Sequence, residues 1–328
     1  METLRGGIDL GGTKIQAVVV DGEHRVLGEA RHPTPKDRGP QGVAEEIAAT
    51  LEEAAAGAGA AVSDLAGIGI GSPGAIDDAE GTVTQAPNVT PEWTGTFALA
   101  AAVSELADGR GVRLGNDVDV GTWAEFELGA AREFDSLLGV FWGTGVGGGV
   151  ILDGEQWNGR AAAGEIGHMV VRVGGARCGC GRRGCMEAYA GRQSMEAHAR
   201  RLVGKGQQTA LFEIMEKRGR TNLSSGVWSR ALDRDDPMAT HLIDRAIGAL
   251  AAAVASAVNL LDVEAVVIGG GLGTRLGEPY VDRISERMQQ HLFRDDRPPA
   301  VRVAALGDLG GALGAALLVA DQAPATPA

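Results

Sequence analysis

"GGIDLGGTKIQAVVV" at residues 6–20 and "SLLGVFWGTGVGGGVILDG" at residues 136–154 follow one plan. Each is an apolar strand, a tight turn bearing glycine and threonine, and a second apolar strand. The first copy predicts strands over 6–9 and 14–20, a turn at 21–24 and a third strand over 25–30 that pairs back. The two copies share form rather than long identity, which points to two halves built alike.

Outward from these copies, strands alternate with helices. A helix is expected over 41–59, a buried strand over 65–77 running into a Gly/Pro loop, and a helix near 96–107. A short strand over 112–115 and a helix over 118–131 follow. Residues 195–260 read as mostly helical, 263–273 as a strand entering a glycine loop, and 306–320 as a loop entering a last helix. "DQAPATPA" at 321–328 reads as a frayed tail. The alternation defines an α/β fold.

Composition narrows the function. Of 328 residues, 44% are hydrophobic, 22% are charged and 51 are glycine, which describes a soluble globular chain with many tight turns. A net charge of −13 argues against a nucleic-acid surface. The opening "METLRGGIDLGG" lacks the basic and apolar regions of a secretory signal. The apolar stretch 246–263 carries Asn259 and Asp262 and reads as a buried helix, not a membrane span. The expectation is a cytoplasmic protein with no membrane or nucleic-acid partner, in a compartment where thiols stay reduced.

Glycine lets a backbone approach a ligand closely, so successive N–H groups can point at one anion. Gly11, Gly12 and Thr13 in the first turn, and Gly143, Thr144, Gly145 and Gly147 around the second, are candidate phosphate contacts. Lys14 either adds charge there or covers a strand edge with its stem. Asp9 ends the first strand, where a carboxylate could hold Mg²⁺ directly or through water. Gly270 and Gly271 in the loop at 269–273, and a further glycine loop at 307–311, add to the pattern. Neither turn has Walker A spacing, and neither is the glycine fingerprint of a dinucleotide fold, because strands follow both. The paired turns and glycine loops resemble the sugar kinase/actin/Hsp70 superfamily, whose two lobes are duplicated ribonuclease-H-like sheets.

All three cysteines fall in "CGCGRRGCME" at 178–187. Cys178, Cys180 and Cys185, with His168 upstream, supply three thiolates and an imidazole. Such a set closes a tetrahedral zinc site of the structural type and leaves no position for water.

This segment, with "GEIGH" at 164–168 before it, resembles the signature of the ROK family of repressors and sugar kinases. "IDLGGTKI" at 8–15, "GTGVGGGVI" at 143–151, "GSPGAID" at 71–77, "APN" at 86–88 and "GND" at 115–117 extend the likeness from residue 6 to about 320. The resemblance implies a two-lobed sugar kinase/actin/Hsp70-like fold, with an N-terminal lobe over 1–116 and a C-terminal lobe over 117–308 that carries the zinc segment. A helix at about 309–321 would pack back on the first lobe, before a tail at 322–328. It implies ATP, Mg²⁺ and structural Zn²⁺ as cofactors, a small sugar as substrate, and a homodimer.

By the same resemblance Asp117 is the catalytic base. Gly74, Asn88, Asn116, Glu165, His168 and Glu187 would lie at the sugar hydroxyls. The residues themselves agree about Asp117: it stands where a strand gives way to a helix, a place where open α/β sheets present ligands. A sugar hydroxyl needs a base as it attacks phosphorus. An Asn-Asp pair at a strand end also suits a helix cap. Where the family commonly carries Ala-Asn-Ala after Asn-Asp, "NDVDVGTW" puts Asp119. That extra carboxylate either raises the pKa of Asp117 or caps the helix.

The implied activity is ATP-dependent phosphorylation of a hexose at its 6-hydroxyl, with glucose as the leading acceptor. N-acetylglucosamine, N-acetylmannosamine, fructose, mannose and allose are alternative acceptors, and polyphosphate is an alternative donor. A sugar-responsive transcription regulator is a second class of reading. It is disfavoured because the first phosphate loop begins at residue 6, with no helix-turn-helix segment ahead of it. A catalytically silent sugar sensor is a third, against which stand Asp9, Thr13, Asp117 and Thr144.

Overall fold

A computed structural model describes residues 3–160 and 162–320, and it divides into two compact units. The first comprises residues up to Glu127 together with those from Asp308 onward; the second spans Leu128–Gly307.

In the first unit β1 (Leu4–Leu10), β2 (Lys14–Val20) and β3 (Val26–Pro33) form an antiparallel meander. Then β4 (Leu65–Ser72), β5 (Ala75–Asp77), β6 (Thr82–Thr84), β7 (Thr96–Phe97) and β8 (Val112–Asn116) follow. The main sheet has the order β3-β2-β1-β4-β8, with β4 parallel to both β1 and β8. Helices α1 (Gly39–Gly57) and α2 (Leu99–Leu106) pack together, and Val43, Ile47 and Leu51 of α1 join Ile8, Ile15 and Ile70 in one core. Helix α3 (Asp117–Glu127) follows β8 directly.

In the second unit β9 (Leu137–Trp142), β10 (Val146–Leu152) and β11 (Glu155–Gln156) repeat the meander. Helices α4 (Glu187–Ala190), α5 (Arg192–Val203), α6 (Leu211–Lys217), α7 (Ser225–Leu232) and α8 (Pro237–Leu261) come next. Strand β12 (Ala265–Gly269), α9 (Gly270–Leu276), α10 (Glu278–Gln289) and β13 (Ala300–Val303) complete it. The sheet order is β11-β10-β9-β12-β13, with the last two junctions parallel. This is the same plan as the first unit, as the duplicated strand-turn-strand pattern predicts. "AVVIG" of β12 is buried throughout, as befits a parallel strand covered on both faces. Helix α8 is long and apolar enough to span a membrane, but it lies mostly buried in the core of this unit, with Leu250 and Val254 in the same core as Trp142 and Ile268.

The chain then returns to the first unit as α11 (Gly310–Leu317). Alternate glycines in the strands make room for it. A Cβ on Gly7 would lie 2.0 Å from the carbonyl oxygen of Ala312, and one on Gly69 only 1.7 Å from that of Ala315. The helix backbone therefore rests directly on the sheet. Helix α3 closes on α11 in the same way: a Cβ on Gly314 would meet the Val120 carbonyl at 1.8 Å.

The structure corrects several expectations. The break between units falls after Glu127, not at 116, because α3 packs against α11 and β4. The helix expected over 118–131 is shorter and begins at Asp117. Part of the Gly/Pro loop is β5, which joins β6 and β7 in a small antiparallel sheet. The helix expected near 96–107 gives its first residues to β7. The glycine loop at 269–273 is already helix, with Leu272 and Leu276 buried one turn apart. Residues 321–328, read as a tail with the last residue of the returning helix, lie outside the described residues.

Gly69→Ala is expected to lower stability by about 3 kcal/mol or more, since rigid backbone occupies the space. Gly111→Ala, with nothing within 4 Å of its added Cβ, is expected to stay near wild type. Urea unfolding of both variants checks this pair.

Candidate active site

In the first unit, the turn after β1 is closed by Gly11 N–H donating to Lys14 O at 2.9 Å. Thr34 holds it from the side, through Oγ1 to Gly11 O at 2.7 Å and N–H to Thr13 O at 3.1 Å. Gly12 passes so close to Asn88 that a Cβ would lie 2.5 Å from the Asn88 carbonyl oxygen. That carbonyl is fixed by Lys36, whose Nζ donates to Asn88 O at 2.9 Å and Val89 O at 2.6 Å. Asn88 and the first glycine turn, singled out separately in the sequence, are thus neighbours. Gly74 sits in the turn after β4 at φ +102°, a conformation that favours glycine.

Asp9, the last residue but one of β1, lies against the start of α11: a Cβ on Gly311 would be 2.8 Å from its carboxyl carbon. Burial raises its pKa; Lys14 and Arg31 oppose that, and Asp308 adds to it. Asp308 itself accepts from Arg31 Nη2 at 2.8 Å and lies 3.7 Å from Lys14 Nζ. Lys14 is therefore a charged partner in this cluster, not only a strand cover.

Of the adjacent Asn116 and Asp117, it is Asn116 that makes the helix cap. The Asn116 side-chain oxygen accepts from the N–H groups of Val118 at 3.0 Å and Asp119 at 3.4 Å, so Asn116 caps α3. Asp117 occupies the first helical position, with one oxygen 3.0 Å from the Val118 N–H. Its carboxyl is pushed up to about 7, first by burial and then by the negative charge of Asp9, against the Val118 hydrogen bond. Asp119 contributes to the rise, but less than either.

In the second unit, Gly143 N–H donates to Gly145 O at 3.0 Å across the turn. Trp142, wholly buried just before it, donates from its indole to Ala190 O at 2.7 Å. Gly147 continues into β10. Gly270, at φ +77°, lies against the Trp142 backbone, and a Cβ on Gly143 would meet Gly271 N at 3.9 Å. The second turn and the glycines after β12 therefore converge. Sequence reading missed Arg192. It donates from Nη2 to Thr144 Oγ1 at 2.9 Å and from Nη1 to Ser225 Oγ at 2.8 Å, while its N–H holds Gly143 O at 3.1 Å. With Thr144 Oγ1 accepting from Arg192, its own O–H is left to donate to an anion. No spacing rule singles out an arginine at the first turn of α5; the only signal was its position soon after the cysteine segment.

His168, Cys178, Cys180 and Cys185 present ligand atoms all within 4.8 Å of one another. The Cys180–Cys185 sulfurs are 3.8 Å apart, as are Cys178 Sγ and His168 Nδ1. A tetrahedron with Zn–S bonds of about 2.3 Å has edges of about 3.8 Å, so the set fits zinc. With His168 Nδ1 turned to the thiols, its Nε2 faces Glu165 at 3.7 Å. Glu187, expected beside the sugar, has both oxygens engaged. Oε2 accepts from Val146 N–H at 3.0 Å, and Oε1 lies 3.5 Å from Cys178 Sγ. It ties the cysteine segment to the second glycine turn.

Two units of one ribonuclease-H-like topology, each with a glycine-threonine turn between its first strands, define the two-domain fold shared by sugar kinases, actin and Hsp70. The profile of the ROK family matches residues 5–322. A glucokinase of Thermotoga maritima is 32% identical over 323 residues, covering 96% of this chain and 97% of that protein. An N-acetyl-D-glucosamine kinase of Erwinia tasmaniensis is 32% identical, covering 95% and 98%. A crystal structure of a ROK family glucokinase from Streptomyces griseus, in complex with glucose and AMPPNP, superposes with a TM-score of 0.81 at 31% identity, covering 97% of this chain and 99% of that one. The chain belongs to the ROK family, and it is a phosphotransferase with an alcohol acceptor.

The raised carboxyl of Asp117 costs stability at neutral pH and above. Its folded pKa of about 7 exceeds the ordinary 3.8, so its contribution is fully present below 3.8 and is lost as pH rises through about 7. Asp117→Asn, which cannot ionise, is expected to melt above wild type at pH 8, by a smaller margin at pH 5, and close to it only below the ordinary carboxylate value of 3.8. Differential scanning calorimetry without ligands checks the sign.

Proposed function

We propose that this chain transfers the γ-phosphoryl group of ATP to the 6-hydroxyl of a hexose, with glucose as the preferred acceptor. The observation that carries this reading is Asp117: a carboxyl at the start of a helix, in a protein of this family, poised to change protonation near pH 7. The similarity to glucokinases, one of them crystallised with glucose and an ATP analogue, supports the acceptor and the donor.

In this mechanism Asp117 accepts the hydroxyl proton as the oxygen attacks phosphorus. Asn116, its oxygen committed to the helix cap, offers its amide hydrogens to the acceptor. Asn88 and the Gly74 backbone contribute further sugar contacts. Gly11, Gly12, Thr13 and Lys14 in the first unit, and Gly143, Thr144, Gly145, Gly147, Gly270 and Gly271 in the second, hold phosphate oxygens. Arg192 fixes the Thr144 hydroxyl. Asp9 fits a Mg²⁺ site: it is a strand-end carboxylate pressed to backbone, with no hydrogen bond or ion pair among the described residues. A bound Mg²⁺ would neutralise phosphate charge there. Phosphoryl transfer needs little more than positioning and electrostatics of this kind.

Zinc, by this reading, shapes the sugar site and performs no chemistry. It would be held by His168 Nδ1 and the three sulfurs, leaving His168 Nε2 to orient Glu165 toward hydroxyls. With Cys178 bound as thiolate, Glu187 Oε1 is the end that remains for a sugar oxygen, while Oε2 stays on Val146. The protein is read as a cytoplasmic homodimer. The N-acetylglucosamine kinases among its relatives make that amino sugar the second acceptor to test.

Asp117→Asn is expected to lower kcat by about 10²–10⁴-fold with a sugar KM within a few-fold of wild type. Near-normal turnover in a coupled ADP-release assay would refute the base. A panel of hexoses and N-acetylhexosamines, with ATP and polyphosphate, should give glucose with ATP the highest kcat/KM. Metal analysis should find about one zinc per chain. Cys180→Ser should lose the metal and raise the sugar KM by about 10-fold or more.

A further inference from the structure

Between α5 and α8 a group of basic side chains lies close together. On α5 and just beyond it, His198, Arg201 and Lys205 follow at helical spacing; on α8, His241 and Arg245 stand one turn apart. These two helices pack on each other. Arg245 Nη1 is hydrogen-bonded to His198 Nδ1, and its guanidinium lies 5.3 Å from the centre of the Tyr189 ring. Burial lowers the pKa of Arg245 most, and the nearby charges of Arg172 and Arg201 lower it further. Burial and then the charges of Arg245, Arg201, His241 and Lys205 push His198 down to about 4, so its imidazole is neutral and accepts from Arg245.

The neighbouring carboxylates are engaged elsewhere. Asp244 binds Arg283 and Arg287, each at 2.7 Å. Glu196 binds Arg200 at 2.6 Å and the Leu223 N–H at 2.8 Å. Asp236 caps α8 through Ala239 N–H at 2.8 Å and also accepts from Thr209 and Ala210. Among the described residues, no carboxylate lies within 4.0 Å of a side-chain nitrogen of Arg172, Arg201, Lys205, His241 or Arg245. Like charges held together this way, in a chain of net charge −13, leave a local positive potential.

The same seam opens into a pocket of about 430 Å³ lined by Leu202, Gln207, Gln208, Pro237, Met238 and His241. That is within the range of small-molecule sites, about 300–1,000 Å³. Leu202 lies one turn after His198, and Met238 one turn before His241, so the pocket continues the cationic stripe. Two amides and a histidine at its wall suit hydroxyls beside an anion.

We propose that this seam between α5 and α8 is a second ligand site, apart from every residue assigned to the reaction, which binds a phosphomonoester dianion carried on a small polyol: a sugar phosphate of the class the enzyme makes. The sugar-phosphate class rests on the kinase reading; the anion site itself does not. Arg201 and Lys205 are the exposed cations for the phosphate, His241 offers a ring nitrogen beside them, and Gln207 and Gln208 face the polyol. A site of this kind would let accumulated product be sensed without entering the reaction.

The test is isothermal titration of the full-length protein with glucose 6-phosphate and, separately, inorganic phosphate. Wild type is compared with Arg201→Gln/Lys205→Gln, both exposed positions. The double variant should bind glucose 6-phosphate at least 10-fold more weakly at this site, with unchanged initial-rate kcat and KM for sugar and ATP. Glucose 6-phosphate should bind more tightly than phosphate alone. Equal binding by wild type and variant overturns the site. Equal affinity for the two probes overturns the sugar-phosphate class. A change of mass by light scattering, with phosphate binding unaltered, would assign the seam to a second copy of the chain and overturn the proposal. Loss of binding in the variant, in a protein that phosphorylates no hexose, would uphold the anion site and refute the kinase reading.

Discussion

The backbone of α11 lies on a sheet face from which side chains have been removed. Gly7 and Gly69 let its carbonyls approach the strands, and Gly314 lets α3 approach it in turn. Two consequences follow for chemistry. The start of α11 comes against Asp9, and the start of α3 carries Asp117 into the field of the Asp9 charge. A segment from the far end of the chain thus packs on Asp9, whose charge in turn raises the pKa of Asp117 at the start of α3. Filling the glycine face would move both.

The second unit repeats the strand order but solves its turn differently. Its turn is held from beneath by the buried Trp142 indole and from the side by Glu187 and Arg192, whose elements flank the Ala190 carbonyl that Trp142 holds. The cysteine segment is joined to this turn through Glu187, so a metal bound at the cysteines would also brace the backbone of the second glycine turn. The cysteine-histidine cluster and the second glycine turn are one mechanical element within the unit.

Much of this could be read in the sequence, for identifiable reasons. The duplicated strand-turn-strand pattern carried the fold, because alternating apolar residues around a Gly-Thr turn have few other solutions. The clustered cysteines carried the metal set, because three thiols so close together can reach one ion. What escaped depended on contacts between distant segments. Strands β5, β6 and β7 have two or three residues each, too few to show alternation. The unit boundary looked natural at the strand-helix junction, yet α3 belongs with α11, a partner that sequence order hides. The glycines after β12 suggested a loop, but Leu272 and Leu276 pull them into a helix. At Asn116 and Asp117, capping and catalysis looked like rival readings; in the structure Asn116 makes the cap, and Asp117 carries a carboxyl whose pKa is raised by burial and by Asp9. Arg192 had no local signal, since its meaning comes from Thr144 on another element.

The account turns on Asp117 being a base whose ionisation is displaced by burial and by Asp9. The pH profile of kcat/KM for glucose, at saturating MgATP, tests this most directly. A single ionisation should appear, with activity rising as pH increases through about 7 and levelling above it, because only the carboxylate can accept the proton. A profile flat from mildly acidic to mildly alkaline pH, or one whose only limb lies at the ordinary carboxylate value near 3.8, would contradict it.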